Sequence, residues 1–356
     1  MSPRRALALL ENRRAELETC TYCPKLCRAA CPVSNAEASD TVTPWGMMRG
    51  THAVASGRAP VSPEYGALAW ACAGCLACRE SCVHENPVAD TLYDARAVFT
   101  TLGVAPEGSL RVQRGFQARL ARVRAKNAEY SVAHRLAETA PIVLVLGCRY
   151  SLDFEREASD AIRAAEALFG TLRLASGCCG LPLQMAGDPE GAKRAQKALA
   201  RELEGARRVI ALDAGCAYAL RGYGVEPLVT AAARALGTAG RPAPFGDEPL
   251  RYHDSCLLGR GLGEYDAPRA IVSQASERGV LEFFYKREHA RCSGRGGLLP
   301  GTRPETARAI TRTRIEEHER LGGGTIVTAC AESLAGFRKA GGKTLDLASV
   351  LARLIA

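Results

Sequence analysis

Two short segments near the N-terminus concentrate thiols at a spacing suited to metal chemistry. The first follows the pattern Cys-x2-Cys-x3-Cys-x3-Cys-Pro over residues 20–32, and the second follows Cys-x2-Cys-x2-Cys-x3-Cys over residues 72–82. Three cysteines on one tight loop can converge on a small iron–sulfur core, and a fourth thiolate completes its coordination. Each segment, named here the first and the second cysteine run, carries such a triplet and a trailing cysteine. The chemistry indicated is that of a [4Fe–4S] cluster.

The trailing cysteines predict how the eight thiols divide between two clusters. In two-cluster ferredoxins the fourth ligand of each cluster comes from the other run. The ligands assigned to the first cluster are Cys20, Cys23, Cys27 and Cys82. The ligands assigned to the second cluster are Cys72, Cys75, Cys78 and Cys31.

Zinc and disulfides are the alternatives to iron–sulfur clusters. Structural zinc usually takes two short cysteine pairs that lie far apart in sequence, and disulfide frameworks belong to small secreted domains. The spacing favours iron–sulfur over both. The first run departs from the usual pattern by one extra residue between Cys23 and Cys27, and Val83 stands where a proline commonly follows the last cysteine.

Length and composition indicate a multidomain globular protein of a reducing compartment. The chain has 356 residues, 47% hydrophobic content and 15 cysteines. Its N-terminal segment shows no signal-peptide pattern, and the longest apolar run, residues 141–146, is too short to span a bilayer. We therefore expect a cytoplasmic protein, or one peripheral on the cytoplasmic face of a membrane, whose cysteines serve metal or redox chemistry.

The net charge suits an acidic protein partner or an anionic membrane face. The formal charge is +9, and two clusters with four thiolates each would lower it to about +5. A bias of this size does not argue for nucleic acid, and we predict no nucleic-acid partner.

The N-terminal third is expected to be mainly helical. Helical patterns cover residues 5–19 and 90–101, residues 40–63 predict a loop with one short helix, and residues 104–110 predict a linker. A helix with six basic and no acidic side chains then begins near residue 111. This helix is either a docking surface for a partner or a solvated face between two domains. Runs of like charge are usually solvated, which favours the second interpretation.

Strands alternate with helices from residue 141 onward, which is typical of a parallel α/β sheet. The predicted strands are 141–147, 171–175, 208–213, 250–253, 281–285 and 324–328. The cysteines that follow them recur: Cys148 is 108 residues before Cys256, Cys178 is 114 before Cys292, and Cys216 is 114 before Cys330. We infer an internal duplication that gathers cysteines beyond the carboxyl ends of the strands, where such sheets bind ligands.

The repeated segments resemble the cysteine-rich CCG domain. That domain occurs in heterodisulfide reductase subunits and in the iron–sulfur subunits of glycolate oxidase and anaerobic glycerol-3-phosphate dehydrogenase. The matching segments are 147–148, 177–182 and 213–216 in the first copy and 252–260, 292–297 and 328–330 in the second. The resemblance implies an electron carrier that links a flavin-linked dehydrogenase subunit to a quinone or another acceptor.

The fold class expected is α+β and α/β. A mainly helical two-cluster ferredoxin-like domain (1–110) and a basic helical linker (111–139) precede two duplicated α/β cysteine-rich domains with parallel sheets (140–245 and 246–356).

In some family members each repeat ends in a Cys-x-x-Cys pair that helps to hold an unusual cluster. Here the second cysteine of that pair is absent, because Ala219 stands three positions after Cys216 and Ser333 stands three positions after Cys330. The thiols of the first repeat, which could complete a third cluster, are Cys148, Cys178, Cys179 and Cys216. The second repeat has three, Cys256, Cys292 and Cys330, so a cluster there would need Ser293, His253 or an external ligand. Buried or redox-active thiols without metal are the alternative.

The catalytic candidates are Cys256 and Cys292, with His253 as a proton relay or simply a strand-end histidine. Two other functions compete with the electron-transfer subunit: a catalytic disulfide reductase that acts through the repeat cysteines, and a metal-stabilised interaction module without redox activity. Whether the chain is itself an enzyme or an oxidoreductase component stays open.

Overall fold

A computed structural model of the protein describes residues 10–237 and 243–356. These residues form two compact units. The first unit combines the described residues up to Phe116 with the segments Pro182–Ala192 and Glu288–Arg314, and the second contains the remainder. The part of the predicted N-terminal helix before residue 10 lies outside the described residues, and the predicted domain boundaries stay predictions.

Helices build the first unit, and every strand of the described residues lies in the second. The helices wholly within the first unit are Arg14–Thr21, Pro32–Glu37, Pro44–Ala55, Pro63–Ala69, Ala77–Glu80, Val88–Thr101 and Leu299–Thr302. The helices with residues in both units are Glu107–Ala133, Leu181–Met185, Pro189–Leu203 and Pro304–Arg320. Short 3-10 turns are Glu11–Arg13, Leu26–Ala30, Asp40–Val42, Arg221–Tyr223 and Arg287–His289.

The segment predicted as mostly loop contains the twelve-residue helix Pro44–Ala55, so that prediction was wrong in extent. The side chain of Thr43 accepts a hydrogen bond from the backbone N–H of Gly46 at 2.9 Å, and a proline occupies the first helical position. Both features favour a helix start. The buried Met47 and Met48 then fix the helix in the core of the unit.

The basic helix extends over Glu107–Ala133 and thus begins inside the segment predicted as a linker. Arg119 and Lys126 pair with acidic side chains of the second unit. Arg122 and Arg124 are exposed and form no ion pair with any described residue. The helix is therefore partly a solvated face, and its role in docking stays a prediction.

Two four-stranded parallel sheets with the same strand order form the second unit. The strands are β1 (Ile142–Val145), β2 (Leu172–Leu174), β3 (Arg208–Ala211), β4 (Val225–Pro227), β5 (Leu250–His253), β6 (Val280–Glu282), β7 (Thr325–Thr328) and β8 (Thr344–Asp346). The orders are β2-β1-β3-β4 and β6-β5-β7-β8. The predicted fold class, with a helical region followed by two duplicated parallel α/β domains, is confirmed.

Equivalent strands of the two sheets pair in equivalent registers. Val143 is opposite Val209 between β1 and β3, and Arg251 is opposite Ile326 between β5 and β7. The helices that lie wholly in this unit are Cys148–Asp153, Glu155–Phe169, Ala214–Ala219, Leu228–Leu236, Gly259–Leu262, Asp266–Ala275, Ala331–Lys339 and Leu347–Ile355.

One apolar core joins the two sheets and their helices within the second unit. Ile162 of the first repeat and Leu351 of the second are buried in the same cluster. The hydroxyl of Tyr150 donates a hydrogen bond to the carboxylate of Asp346 at 2.6 Å, and both groups are buried. The repeats therefore stabilise each other through this shared core, and the second repeat adds a small cluster of its own, formed by Phe283, Ile315, Ile326 and Phe337.

Candidate iron–sulfur sites

The four thiols assigned to the first cluster lie close enough for their charges to affect one another's pKa. Burial raises the pKa of Cys20 to about 12, and the charges of Cys27, Cys82 and Cys23 add to the effect. Burial likewise raises the pKa of Cys27 to about 11, with contributions from Cys23 and Cys82. Thiols that raise one another's pKa in this way gain from binding a cationic group that takes up their negative charge.

Asn86 is a polar partner of this first group. Its side-chain N–H donates to the Sγ of Cys20 at 3.0 Å and to the carbonyl of Glu16 at 2.8 Å. Asn86 is buried, and it follows the second cysteine run although it serves a thiol of the first. Its hydrogen bond favours the thiolate form of Cys20.

The thiols assigned to the second cluster form a neighbouring group. Burial raises the pKa of Cys31 to about 12, and the charges of Cys75 and Cys72 contribute. Burial also raises the pKa of Cys78 well above its ordinary value, with contributions from Cys72, Cys75 and Cys31 and a smaller one from Cys27. Because Cys27 belongs to the first group, the two groups adjoin.

Both cysteine runs turn at a residue in the left-handed region. Lys25 has a φ of 68° just before the 3-10 turn that carries Cys27. Leu76 has a φ of 64° just before the short helix that carries Cys78. A side chain other than glycine is strained in this conformation, and such strain collects at binding sites. In each run the left-handed residue stands two positions before the third cysteine.

The surroundings of the second run fit an anionic group. The backbone N–H of Gly74 donates to the Sγ of Cys72 at 3.3 Å. Gly74 has a φ of 64°, and a Cβ there would overlap the hydroxyl of Tyr93, so only glycine suits this turn. The indole N–H of Trp70 is buried and has no acceptor among the described residues. Buried donors of this kind suit the sulfur atoms of a bound cluster.

The two groups differ in their exposure. Cys23, Cys27 and Cys82 of the first group are partly exposed, whereas three of the four thiols in the second group are buried. Beside the first group, the side chains of Tyr22 and Val83 are 78% and 83% exposed. A cofactor held by the first group would lie nearer to solvent.

The structure brings the four cysteines of the first repeat together beyond the strand ends of their sheet. Hydrogen bonds link the thiols in the order Cys148, Cys178, Cys179, Cys216. The Sγ atoms of Cys179 and Cys216 are 3.2 Å apart. The hydrogen bond with Cys178 and burial raise the pKa of Cys148 well above its ordinary value. A site with four thiols therefore exists in this repeat.

Asp213 and Arg119 border these thiols. The carboxylate of Asp213 accepts hydrogen bonds from the backbone N–H groups of Gly215 and Cys216 at 2.7 and 3.2 Å, and burial raises its pKa to about 6. Arg119 donates to the carbonyl of Cys148 at 3.4 Å. These contacts fix the first turns of the helices Cys148–Asp153 and Ala214–Ala219, which carry Cys148 and Cys216.

The candidate residues of the second repeat are divided between the units. Cys292 belongs to the first unit, whereas Cys256 and Cys330 belong to the second. Burial raises the pKa of Cys330 to about 11, and the charge of Asp213 contributes. The catalytic roles of these cysteines stay predictions.

His253 lies in an aromatic part of the second repeat's core. Its ring meets the rings of Phe337 and Phe283 edge-on, with centroids 4.8 and 5.9 Å away. The side chain is 2% exposed. These contacts give the ring a packing role, and its predicted part in proton transfer stays a prediction.

Sequence reasoning did not find Asn86 or the donors at the glycine turns. The backbone N–H of Gly180 donates to Cys178 Sγ at 3.5 Å, and that of Gly294 donates to Cys292 Sγ at 3.3 Å. Gly74 and Cys72 form the same contact. The shared pattern Cys-x-Gly was a readable signal, whereas Asn86 had none because its partner is 66 positions away.

Two elements define the class of this protein: paired four-thiol groups on a helical unit, and duplicated parallel sheets with cysteines at their strand ends. The 4Fe-4S dicluster domain family matches residues 16–86, and the cysteine-rich domain family matches residues 142–221 and 250–335. The chain therefore carries a 4Fe-4S dicluster domain and two cysteine-rich CCG domains, and the resemblance is confirmed.

Curated relatives include components of oxidoreductases. One component of the fumarate reductase (CoM/CoB) of Methanothermobacter marburgensis is 30% identical over 43% of this chain and 32% of its own length. One component of the dihydromethanophenazine:CoB–CoM heterodisulfide reductase of Methanosarcina barkeri is 30% identical over 24% of this chain and 20% of its own. EtfAB:quinone oxidoreductase of Syntrophomonas wolfei is 44% identical over 14% of this chain and 7% of its own. The chain thus matches less than a third of the length of each.

The chain is accordingly an iron–sulfur protein related to oxidoreductase subunits. Within residues 10–237 and 243–356, no three His, Cys, Asp or Glu side chains converge closely enough to hold a single metal ion. In the same residues, no helix is long and apolar enough to cross a membrane.

Proposed function

We propose that this protein is an iron–sulfur electron-transfer subunit that relays electrons between a flavin-linked dehydrogenase partner and a quinone or another acceptor. The observation that supports this most strongly is the division of the eight N-terminal thiols into two adjoining groups of four. Adjacent redox centres allow an electron to pass between them, whereas a purely structural metal site needs no neighbour.

The residues of the chain supply ligation, burial and hydrogen bonds. A bound [4Fe–4S] cluster takes up and releases one electron at a time. Cys20, Cys23, Cys27 and Cys82 would hold one cluster, and the N–H groups of Asn86 and Gly74 would donate to thiolate ligands of the first and the second cluster. Such hydrogen bonds and the exclusion of water set the potential of each cluster.

Electrons would exchange with the partner at the first group, which is the more exposed. Tyr22 and Val83 beside it offer apolar surface for a docked protein. Similarity to an EtfAB:quinone oxidoreductase and to a component of a heterodisulfide reductase supports assembly into an oxidoreductase complex. We place the protein in the cytoplasm, either free or peripheral on the cytoplasmic face of the membrane.

The four-thiol site of the first repeat is proposed as a third cluster site. Anaerobically purified protein should then contain about twelve iron atoms per chain, whereas about eight would leave only the two N-terminal clusters. EPR of the reduced protein checks that the iron is in clusters. Zinc in place of iron would overturn the relay and favour a metal-stabilised interaction module.

A catalytic disulfide reductase is the second candidate, because the first repeat brings four thiols, three of them buried, into contact. The two functions differ in what the isolated subunit can do. A reductase should reduce a disulfide substrate with an artificial electron donor in the absence of its partners. A relay subunit should reduce only its acceptor, and replacement of the repeat cysteines should leave the N-terminal clusters reducible.

A further inference from the structure

Arg96 is a fully buried cation in the helix Val88–Thr101, with no exposed surface. Its guanidinium donates to four backbone carbonyls, all within the first unit. The acceptors are Ala69 O at 3.0 Å, Cys72 O at 2.7 Å, Met185 O at 2.8 Å and Gly297 O at 3.1 Å. The guanidinium also lies 4.8 Å from the ring centroid of Tyr93 and 5.7 Å from that of Trp70.

These contacts use four of the five N–H groups of Arg96 but leave its charge without a counter-ion. Among the described residues, no carboxylate pairs with Arg96 or acts on its charge. A buried charge without an opposite charge is costly, and buried ions in proteins are normally paired or bound to metals. The positive charge of Arg96 is therefore uncompensated by the described side chains, and a nearby anion would stabilise it.

The second cysteine run is the place where that anion would form. The groups whose charges act on Arg96 are Tyr93 and Cys72, and Arg96 in turn acts on Cys72. A tyrosine hydroxyl is neutral near pH 7, whereas a thiol that binds iron is a thiolate. The indole N–H of Trp70, two residues before Cys72, is a second buried group here without a partner among the described residues.

The same guanidinium joins the second run to later segments of the chain. Gly297 has a φ of 62°, and a Cβ there would overlap the carbonyl of Cys72, so its backbone lies directly against the run. Arg96 holds the carbonyls of Cys72 and Gly297 together, and it adds the carbonyl of Met185. The position of the charge is thus fixed by three separate parts of the sequence.

We propose that Arg96 is the built-in counter-cation of the cluster held by Cys72, Cys75, Cys78 and Cys31, and that it raises the reduction potential of that cluster above what the thiolates alone would give. The inference rests on the proposed function, because it requires a cluster at this site. A fixed cation stabilises the reduced state, which carries one more negative charge, over the oxidised state. Arg96 is a positioning and tuning residue and ligates no iron.

The test is an EPR-monitored redox titration of the full chain purified anaerobically. Arg96→Gln removes the charge and keeps part of the hydrogen bonding, and it should lower the equilibrium constant for reduction of one cluster about tenfold, which is about 59 mV for one electron. Every other cluster should keep its potential. Arg96→Lys keeps the charge without the planar fork, so it should remain within about threefold of the wild-type constant.

Arg251→Gln is the matched control, because Arg251 is also a buried arginine that donates to backbone carbonyls, those of Glu282 and Leu321 in the second unit. It should change neither potential. A wild-type potential in iron-loaded Arg96→Gln would overturn the inference, and so would equal shifts in the Gln and Lys variants, since these would trace the effect to geometry.

The iron content separates this inference from the proposed function. Wild-type protein without iron–sulfur clusters would overturn both, whereas full iron content with unshifted potentials would overturn only the role of Arg96. Should Arg96→Gln not fold, the Lys variant still decides, because a tenfold shift despite the retained charge would contradict the proposal.

Discussion

Replacing Asn86 with alanine should lower the reduction potential of the first cluster. The substitution removes the N–H that donates to Cys20 Sγ at 3.0 Å in a buried place. A hydrogen bond to a charged group contributes about 1.5–3 kcal/mol, and it strengthens when the acceptor becomes more negative. If the hydrogen bond stabilises the reduced cluster by about 1 kcal/mol more than the oxidised cluster, its removal should lower the reduction potential by about 40 mV.

Asn86→Ala should also destabilise the first unit, because the carbonyl of Glu16 loses its donor. The expected loss in the free energy of unfolding is about 1 kcal/mol. Asn127→Ala is the matched control: it removes a similar buried hydrogen bond, from Asn127 to the carbonyl of Ala175 at 2.9 Å. Asn127→Ala should lower the free energy of unfolding by a similar amount and leave the reduction potentials unchanged.

The assay is the midpoint of each cluster in an anaerobic redox titration followed by EPR, with iron content measured on the same sample. The reasoning is refuted if Asn86→Ala binds the full amount of iron and the midpoint of every cluster stays at its wild-type value. A shift of equal size in Asn127→Ala would refute it as well, since the effect would then follow stability rather than the contact with sulfur.

Three further predictions concern the second unit. Cys179→Ser should lower the iron content by about four atoms per chain, and unchanged iron would mean that the first repeat holds no cluster. Cys256→Ala should abolish turnover with the physiological partners while the EPR signals of the N-terminal clusters persist; unchanged turnover would exclude the second repeat from the acceptor site. Burial raises the pKa of Asp346 from 3.8 to about 7, so the folded state retains this proton to higher pH than the unfolded state does. Stability should therefore fall between about pH 4 and pH 7 by up to about 1 kcal/mol per pH unit. Asp346→Asn should flatten this fall in urea-unfolding experiments, and an unaltered slope would contradict the assignment.

Local patterns accounted for much of the fold. The apolar run around Ile142–Val145 and the recurring cysteines predicted parallel strands and a duplication, because burial on both sheet faces leaves a continuous apolar signature. The strands Val225–Pro227 and Thr344–Asp346 were missed, since three residues are too few to show a period. The helix Pro44–Ala55 was underestimated because glycine and proline obscured its Thr-Pro start.

The candidate site was predictable only where its residues lie close together in sequence. Cysteine spacing predicted the ligand sets, which stay predictions until iron is measured. Asn86 and Arg96 carry no local signal, because their meaning depends on partners 66, 89 and 201 positions away. A buried charge becomes informative only when the absence of a counter-ion among its neighbours can be seen.

The first unit is built from three separate stretches of the chain, and this sets the order in which it can assemble. Both cysteine runs leave the ribosome early, yet Arg96 receives its acceptor at Met185 only 89 residues later and the one at Gly297 only 201 residues later. The hydroxyl of Ser109 donates to the carbonyl of Ala186 at 2.6 Å, and this acceptor is also synthesised later than its donor. The nascent N-terminal part must therefore stay incomplete while most of the chain is made. A gene fragment that ends after the second run would lack these acceptors, and it should yield an insoluble product rather than a small ferredoxin.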